Sequence, residues 1–202
     1  MTILAYQHFL QQASQRLRDE YQLGRRNAVL IINFERLIEL DGILGFTIVD
    51  NTLQQIAQQL RDALNPDDLV GITGRYQICC LLVDLLTDAH AMLAAHKILR
   101  ILTPPFVLDR KNIILAPRLG VAVNNASGDE LDQLMCNASA AVRQAKLEQL
   151  PSKLFHAEMQ DPLLFQIDLW SDLGNAIENG GLYLGYQPQI DIASGKIKST
   201  EA

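Results

Sequence analysis

The seven residues Ala28-Val29-Leu30-Ile31-Ile32-Asn33-Phe34 include a single polar side chain. Neighbouring side chains of a strand point to opposite faces, so a strand apolar at both parities must be covered on both sides. That puts this segment in the middle of a sheet. The rest of the chain is read around it. From Asp50, the residues Leu53, Ile56, Ala57, Leu60 and Leu64 keep a 3.6-residue period up to Asn65-Pro66, the strongest helical signal in the sequence. Tyr6 to Arg18 predicts a helix with Phe9, Ala13 and Leu17 inward. Leu69 to Thr73 and Gln77 to Val83 read as strands joined by a hairpin turn at Gly74-Arg75.

Thr87-Asp88 opens another helix, with Ala89, Met92, Leu93, His96 and Leu99 on its inner face and Pro104-Pro105 as its stop. On that face His96 reads as a partnered core histidine. Phe106-Val107-Leu108 and Ile113 to Val123 predict a second hairpin about Asp109-Arg110-Lys111. Ser127-Gly128-Asp129 begins a helix carrying Leu131, Leu134, Met135, Ala138, Val142 and Ala145. Helix, strand, helix, strand-turn-strand, helix, strand pair, helix is an α+β order, with helices layered on a mainly antiparallel sheet.

Composition excludes several classes of function. The chain has 202 residues, 49% of them hydrophobic and 20% charged, which is a globular and not a disordered balance. A net charge of -6 argues against a nucleic-acid partner, whose phosphates call for a basic surface. No apolar run approaches the roughly 18 residues that span a bilayer, and Met1-Thr2-Ile3-Leu4-Ala5 has no cationic segment of a secretion signal. A cytoplasmic location is expected. Cys79 and Cys80 are adjacent in a strand and should face opposite ways, and Cys136 lies in a helical pattern. Neither these nor His8, His90, His96 and His156 have zinc-ligand spacing, so the thiols read as reduced core residues.

The texture changes after Phe155. Residues 1–156 read as one domain and 157–202 as a linker helix followed by the N-terminal fragment of another. Leu163 to Asn179 is helical in pattern and stops at Gly180-Gly181. Leu182 to Pro188 and Ile190 to Ile192 are strand-like, and Ser194-Gly195 turns the chain into Lys196-Ile197-Lys198. Ending at Glu201-Ala202, inside a strand pattern, the chain looks cut.

In order and spacing, these elements resemble a GGDEF domain, the nucleotide-cyclase-like fold of bacterial diguanylate cyclases. Asn33-Phe34-Glu35-Arg36-Leu37-Ile38 stands where the family has Asp-x-Asp-x-Phe-Lys, with Asp41-Gly42 and Val49-Asp50 following. The signature Gly-Gly-Asp/Glu-Glu-Phe falls on Gly74-Arg75-Tyr76-Gln77-Ile78. Arg118-Leu119-Gly120-Val121-Ala122 matches the Ser-x-Gly-x-Ala strand, and Ala138 to Lys146 matches the Ala-Asp-x-Ala-x-Tyr-x-Ala-Lys helix. In the tail, Tyr186-Gln187-Pro188 and Glu201-Ala202 resemble the opening of an EAL cyclic di-GMP phosphodiesterase domain.

The resemblance implies a domain that binds GTP with a divalent metal and joins two GTP molecules across a pair of facing domains. Magnesium prefers hard carboxylate oxygens, and the two ligand positions here hold Asn33 and Tyr76, an amide and a phenol. Arg75 replaces the second glycine and Gln77 replaces a carboxylate at the fourth position. The signature is degenerate, and neither cyclase activity nor a bound metal is expected of it. Family positions for guanine fall on Asp41 and Asp50, although Asp50 also sits where a helix N-cap is wanted. The phosphate-facing lysine is Lys146, and Arg75 is a candidate to meet phosphate in place of metal. The inhibitory Arg-x-x-Asp site falls on Asn65 to Asp68, without its arginine.

Glu201 corresponds to a magnesium ligand and Gln187 to a pocket residue of a complete EAL barrel, which draws its ligands from several strands. These 202 residues should therefore not hydrolyse cyclic di-GMP. The leading expectation is a regulatory, non-catalytic GGDEF domain that senses GTP or passes a dimer rearrangement to a downstream EAL domain. A nucleotide-free dimerisation or interaction module is the second reading. A residual enzyme using Glu35 and an unmapped carboxylate such as Asp84 is the third.

Overall fold

The computed structural model describes residues 3–108, 111–124, 130–159, 172–181 and 183–201. The chain divides into two compact units, Met1–Gln160 and Asp161–Ala202.

The first unit is built on a six-stranded sheet of β1 (Leu4–Ala5), β2 (Arg26–Asn33), β3 (Leu69–Gly74), β4 (Gln77–Leu85), β7 (Arg118–Val123) and β8 (Ser152–Leu154), in the order β1-β3-β4-β2-β7-β8. The inner pairings β3–β4, β4–β2 and β2–β7 are antiparallel, and the outer pairings β1–β3 and β7–β8 are parallel. The sheet is mixed at its edges and antiparallel at its centre. Among the described residues it is covered by the helices α1 (Tyr6–Gln22), α2 (Glu35–Leu44), α3 (Phe46–Ala63), α4 (Asp88–Leu102) and α5 (Leu131–Leu147).

β2 is the central strand its composition requires. Ala28, Leu30 and Ile32 enter one apolar cluster with Ile56, Leu60 and Ile98. Val29 and Ile31 enter the other, with Phe9, Leu134 and Ala138. The same alternation sends Cys80 into the first cluster and Cys79 into the second, both fully buried, where desolvation raises both thiol pKa values and keeps them protonated. Cys136, expected in the core, is exposed.

Several local expectations are corrected. Glu35–Leu44 is a helix that the sequence pattern did not suggest. Its buried residues are Leu37 and Asp41, so a carboxylate stands where helical periodicity would show an apolar side chain. α3 starts at Phe46, a turn earlier than expected, after Gly45 at φ +86°. Asp50 therefore lies within the helix and does not cap it. α4 buries Ala91, Ala95, Ile98 and Leu102, while Leu93 and His96 face outward. Ala and Leu occupy nearly every face of α4, so its period left the rotation open.

The strand expected over Ile113 to Val123 is two strands. Pro117 has no N–H to give a ladder, and Ala116 before it takes φ +43°. β6 (Lys111–Ile113) instead pairs with β5 (Phe106–Leu108) as a separate two-stranded sheet. Their expected turn at Asp109-Arg110 lies outside the described residues, as do the helix-opening residues Ser127-Gly128-Asp129.

In the second unit, residues 172–178 are helical, and the helix ends at Gly180, which takes φ +66°. The expected beginning of this helix falls outside the described residues. β9 (Gln187–Ile190) and β10 (Ile197–Glu201) form an antiparallel hairpin. Asp191 accepts from the backbone N–H and hydroxyl of Ser194 to shape its turn.

Candidate functional site

The β3–β4 hairpin carries the signature residues, and its two-residue turn is Arg75-Tyr76. Gly74 pairs with Gln77 as the last residue of β3, so the turn lies one residue later than the sequence suggested. A register shift between Ile72 and Gly74 bends the strand as it enters the turn. Tyr76 accepts the Phe34 N–H at 2.9 Å through its carbonyl, which ties the turn to the end of β2. Ile78 is fully buried, so the fifth signature position belongs to the core.

α2 carries Asp41 over this turn. Asp41 is 6% exposed. Its carboxylate receives Arg75 Nε–H on Oδ2 at 2.8 Å and Arg75 Nη2–H on Oδ1 at 3.2 Å, a two-point fork. The Tyr76 hydroxyl donates to the same Oδ2, and Arg75 Nε–H is shared with Tyr76 Oη at 2.9 Å. The Arg75 guanidinium lies 4.2 Å from the centroid of the Phe46 ring, at the start of α3. Turn, helix and helix start thus converge on one cluster, joining residues 34 positions apart in sequence.

The charges of this cluster shift each other's titration. Hydrogen bonds from Arg75 hold the Asp41 carboxyl below its ordinary 3.8, against the opposing effect of burial, and the Tyr76 hydrogen bond adds to the lowering. Asp41 raises Tyr76 above its ordinary 10.0 and raises Arg75 as well. Because Asp41 is depressed in the folded state, its contribution is complete above 3.8 and is lost as pH falls through the lowered value. Burial raises Asp68 above 3.8, which gives the opposite slope just above that pH. Asp68 is common to wild type and an Asp41→Asn variant, so comparing the two isolates Asp41. Urea midpoints taken between about pH 5 and pH 2 should fall less steeply in Asp41→Asn. Parallel slopes would show that the Arg75 fork has no part in acid stability.

The positions where the family resemblance puts metal ligands are engaged with protein partners. Asn33 Oδ1 accepts from Gln77 Nε2 at 3.0 Å, and Gln77 Oε1 accepts from the Thr73 hydroxyl at 2.9 Å. Glu35, in the first turn of α2, pairs with Lys146 at 2.8 Å. Among the described residues, no three His, Cys, Asp or Glu side chains come together. A neutral amide, a phenol and two ion-paired carboxylates are a poor donor set for a magnesium–triphosphate site. The residues present do not fit that group.

Asp50 is exposed, and it lines an open cleft of about 470 Å3 together with Leu53, Gln54, Thr73, Gly74 and Arg75. Of the candidate nucleotide contacts, the structure therefore gathers Asp41, Asp50 and Arg75, while Lys146 is held by Glu35. Phe46 was missed by the sequence reading. The signal available for it was an aromatic residue directly after a glycine that opens a helix.

Asp68, at the position of the inhibitory motif, is buried and turned toward backbone. It accepts from Asn65 N–H at 2.9 Å and Val83 N–H at 3.1 Å. Arg61 supplies the nearby cation, donating to the carbonyls of Asp68 and Asn65. Asp84 lies at the far end of β4 beside Arg25, at 3.4 Å. β2 separates that end from Glu35 by about 20 Å, so Asp84 cannot be the second carboxylate of a residual site with Glu35. A cleft of about 740 Å3 near Arg26, Asp88 and Asn124 is likewise at the far end of β2 from the hairpin. In the second unit, Gln187 and Glu201 are register partners across the β9–β10 hairpin, both exposed.

A family model described as "Diguanylate cyclase, GGDEF domain" matches residues 2–150. The chain is 27% identical over 195 residues to the "Bifunctional diguanylate cyclase/cyclic di-GMP phosphodiesterase MucR" of Pseudomonas aeruginosa, covering 96% of this chain and 28% of that protein. It is 23% identical over 180 residues to the "Cyclic di-GMP phosphodiesterase NbdA" of the same organism, covering 89% and 23%. The chain spans about a quarter of the length of these curated relatives. The crystal structure of the GGDEF domain of TpbB from Pseudomonas aeruginosa superposes with a TM-score of 0.70 at 27% identity, covering 77% of this chain and 98% of that one. No helix among the described residues is long and apolar enough to cross a membrane. With a fold that superposes on a solved GGDEF domain and a family match over about three quarters of its length, the chain belongs to the diguanylate cyclase GGDEF domain family.

Proposed function

We propose that this chain is the non-catalytic, regulatory GGDEF domain of a cytoplasmic GGDEF–EAL cyclic di-GMP signalling protein. Residues 157–202 are read as the linker and opening strands of the EAL domain, its downstream partner. The observation that carries the proposal is the state of the signature hairpin. Asn33 and Tyr76 offer no carboxylate for magnesium, and their oxygens already hold Gln77, Asp41 and Arg75. The carboxylates at that end of the sheet, Asp41 and Glu35, are paired with Arg75 and Lys146. Phosphoryl transfer depends on metal charge at the phosphates, and this donor set does not supply it.

The same pairings favour one regulatory mode over another. Of the residues that would sense GTP, Asp41, Arg75 and Lys146 are neutralised within the protein, while Asp50 stays exposed in the cleft beside Arg75. A nucleotide-free dimerisation or interaction module fits them better than a resident GTP sensor.

Purified chain incubated with GTP and magnesium or manganese should form no cyclic di-GMP detectable by mass spectrometry, with a diguanylate cyclase run alongside as positive control. Turnover that vanishes in Asn33→Ala or Glu35→Ala would overturn the non-catalytic reading. Calorimetric titration with GTP and ATP, with and without chelator, separates the two regulatory modes. GTP-selective binding by the wild type, insensitive to chelator and weakened by salt, would restore the sensor.

A further inference from the structure

Within the interaction-module reading proposed above, we infer that the outer face of α4 docks a helix of a partner protein, acidic in its first turns and apolar beyond them. Ala, Leu, Ile and Met fill most of the 15 residues of α4. One row, Ala91, Ala95, Ile98 and Leu102, is buried in the core beneath the sheet. A second row keeps the same period on the opposite side. Ala89, Leu93, His96 and Arg100 are all exposed there, and Leu86 continues the row ahead of the helix.

A helix that is apolar on every side is ordinarily covered on every side. Leu86 is 79% exposed and Leu93 62%. The neighbouring α3 has the outer face of a solvated helix, with Gln54, Gln55, Gln58 and Gln59 turned outward. The outer row of α4 has no such polar cover over its first half.

Charge chooses the occupant. The cations of this face, Lys97 and Arg100, lie toward the end of α4, whereas Leu86 and Leu93 lie toward its start. Asp88, the acid of the first turn, is drawn to β2 by Arg26. Lys97 donates to the Ala63 carbonyl, and an ammonium with three donors keeps others for a ligand. The face therefore runs from apolar to basic along the helix. A helix lying antiparallel on it sets its own first turns beside Lys97 and Arg100. Carboxylates are favoured in first turns by the helix dipole, and here they would meet two cations as well. The apolar turns that follow would cover Leu93 and Leu86.

An anionic bilayer offers the same chemistry but is flat and wide. It would also press on exposed Asp84, which lines a cleft with His90 and Lys97, and on a chain of net charge -6. A docked helix covers the row alone. At about 22 Å of helix the surface is small, so binding should be weak and reversible.

The probe is a fluorescein-labelled, Ala-based helical peptide as long as α4, with Glu in its first turns and one row of Leu in its last. Fluorescence polarisation with the full chain should show saturable binding that salt weakens. Leu93→Asp and Arg100→Glu, each confirmed as folded by circular dichroism, should each weaken it at least about tenfold. Gln55→Asp, a similar change on the outer face of α3, should leave it unchanged. A peptide of the same composition with Leu first and Glu last should bind at least about tenfold more weakly, because its acids miss the two cations. No binding, equal binding of the two peptides, or binding that survives both α4 changes overturns the inference. So does self-association of the chain, or its sedimentation with vesicles of phosphatidylcholine and phosphatidylserine, if Leu93→Asp abolishes it, since either gives the face to another occupant. Such a failure leaves the non-catalytic reading standing, because that reading fails only on cyclic di-GMP formation, and the GTP titration decides separately between sensor and interaction module.

Discussion

Gly120→Ala should cost on the order of 3 kcal/mol or more of folding stability. Gly120 is in the middle of β7, beneath α5. A methyl group there would sit 2.0 Å from the Ala138 carbonyl oxygen and 2.6 Å from the Val142 nitrogen, both backbone atoms of the helix. No side-chain rotation relieves a contact with backbone, so α5 must lift from the sheet. Ala122, Ala138 and Val142, buried together in the cluster between α5 and the sheet, would lose their contacts. A domain of this size has about 5–15 kcal/mol in total, so the variant should be marginal or unfolded at room temperature. Urea denaturation followed by far-ultraviolet circular dichroism reads the effect. Gly42→Ala is the matched control, because its added methyl group meets nothing within 4 Å and the residue is in helix α2. It should be neutral or stabilising by up to about 1 kcal/mol. Equal midpoints for the two variants would mean that α5 is not seated on β7 as described.

Asp68→Ala should be the second most damaging change, at about 3 kcal/mol. The Asp68 carboxylate is buried between the segment 65–68 and strand β4, and it accepts two backbone N–H groups, from Asn65 and Val83. Removing it orphans both donors and strips the nearby Arg61, itself only 7% exposed, of its counter-charge. Asp68→Asn keeps one oxygen and should recover roughly half of the loss. The urea midpoint again decides, and a loss within about 0.5 kcal/mol of wild type would show that Asp68 is dispensable to the fold. The prediction bears on function too. An aspartate at the position of an inhibitory motif is here a structural residue, so its variant should fail through folding.

The fold was legible to the extent that local pattern equals burial. The double-faced apolar run of β2, the period of α3 and the adjacent Cys79 and Cys80 each state which way their side chains point, and each points there. Pattern failed where burial and polarity part company. α2 was missed because Asp41 takes a buried place on its inner face, and an aspartate in a core position breaks the periodicity that reveals a helix. α4 was found but rotated, because Ala and Leu on several faces leave no polar stripe to orient it. The run Ile113 to Val123 was read as one strand because its apolar content continues across Pro117, where the ladder cannot.

The site divides along the same line. From the sequence alone come the chemical identities at the hairpin: an amide at 33, an arginine at 75, a phenol at 76 and an amide at 77, none of them a metal-binding carboxylate. Those identities are set by covalent structure and hold in any conformation. Only the tertiary structure decides that Arg75 reaches Asp41 and Phe46, and that Glu35 reaches Lys146. Partner choice between charged side chains depends on distance and burial, and the packing of α2 over the β3–β4 turn sets both across 34 residues of chain that carry no local trace of it.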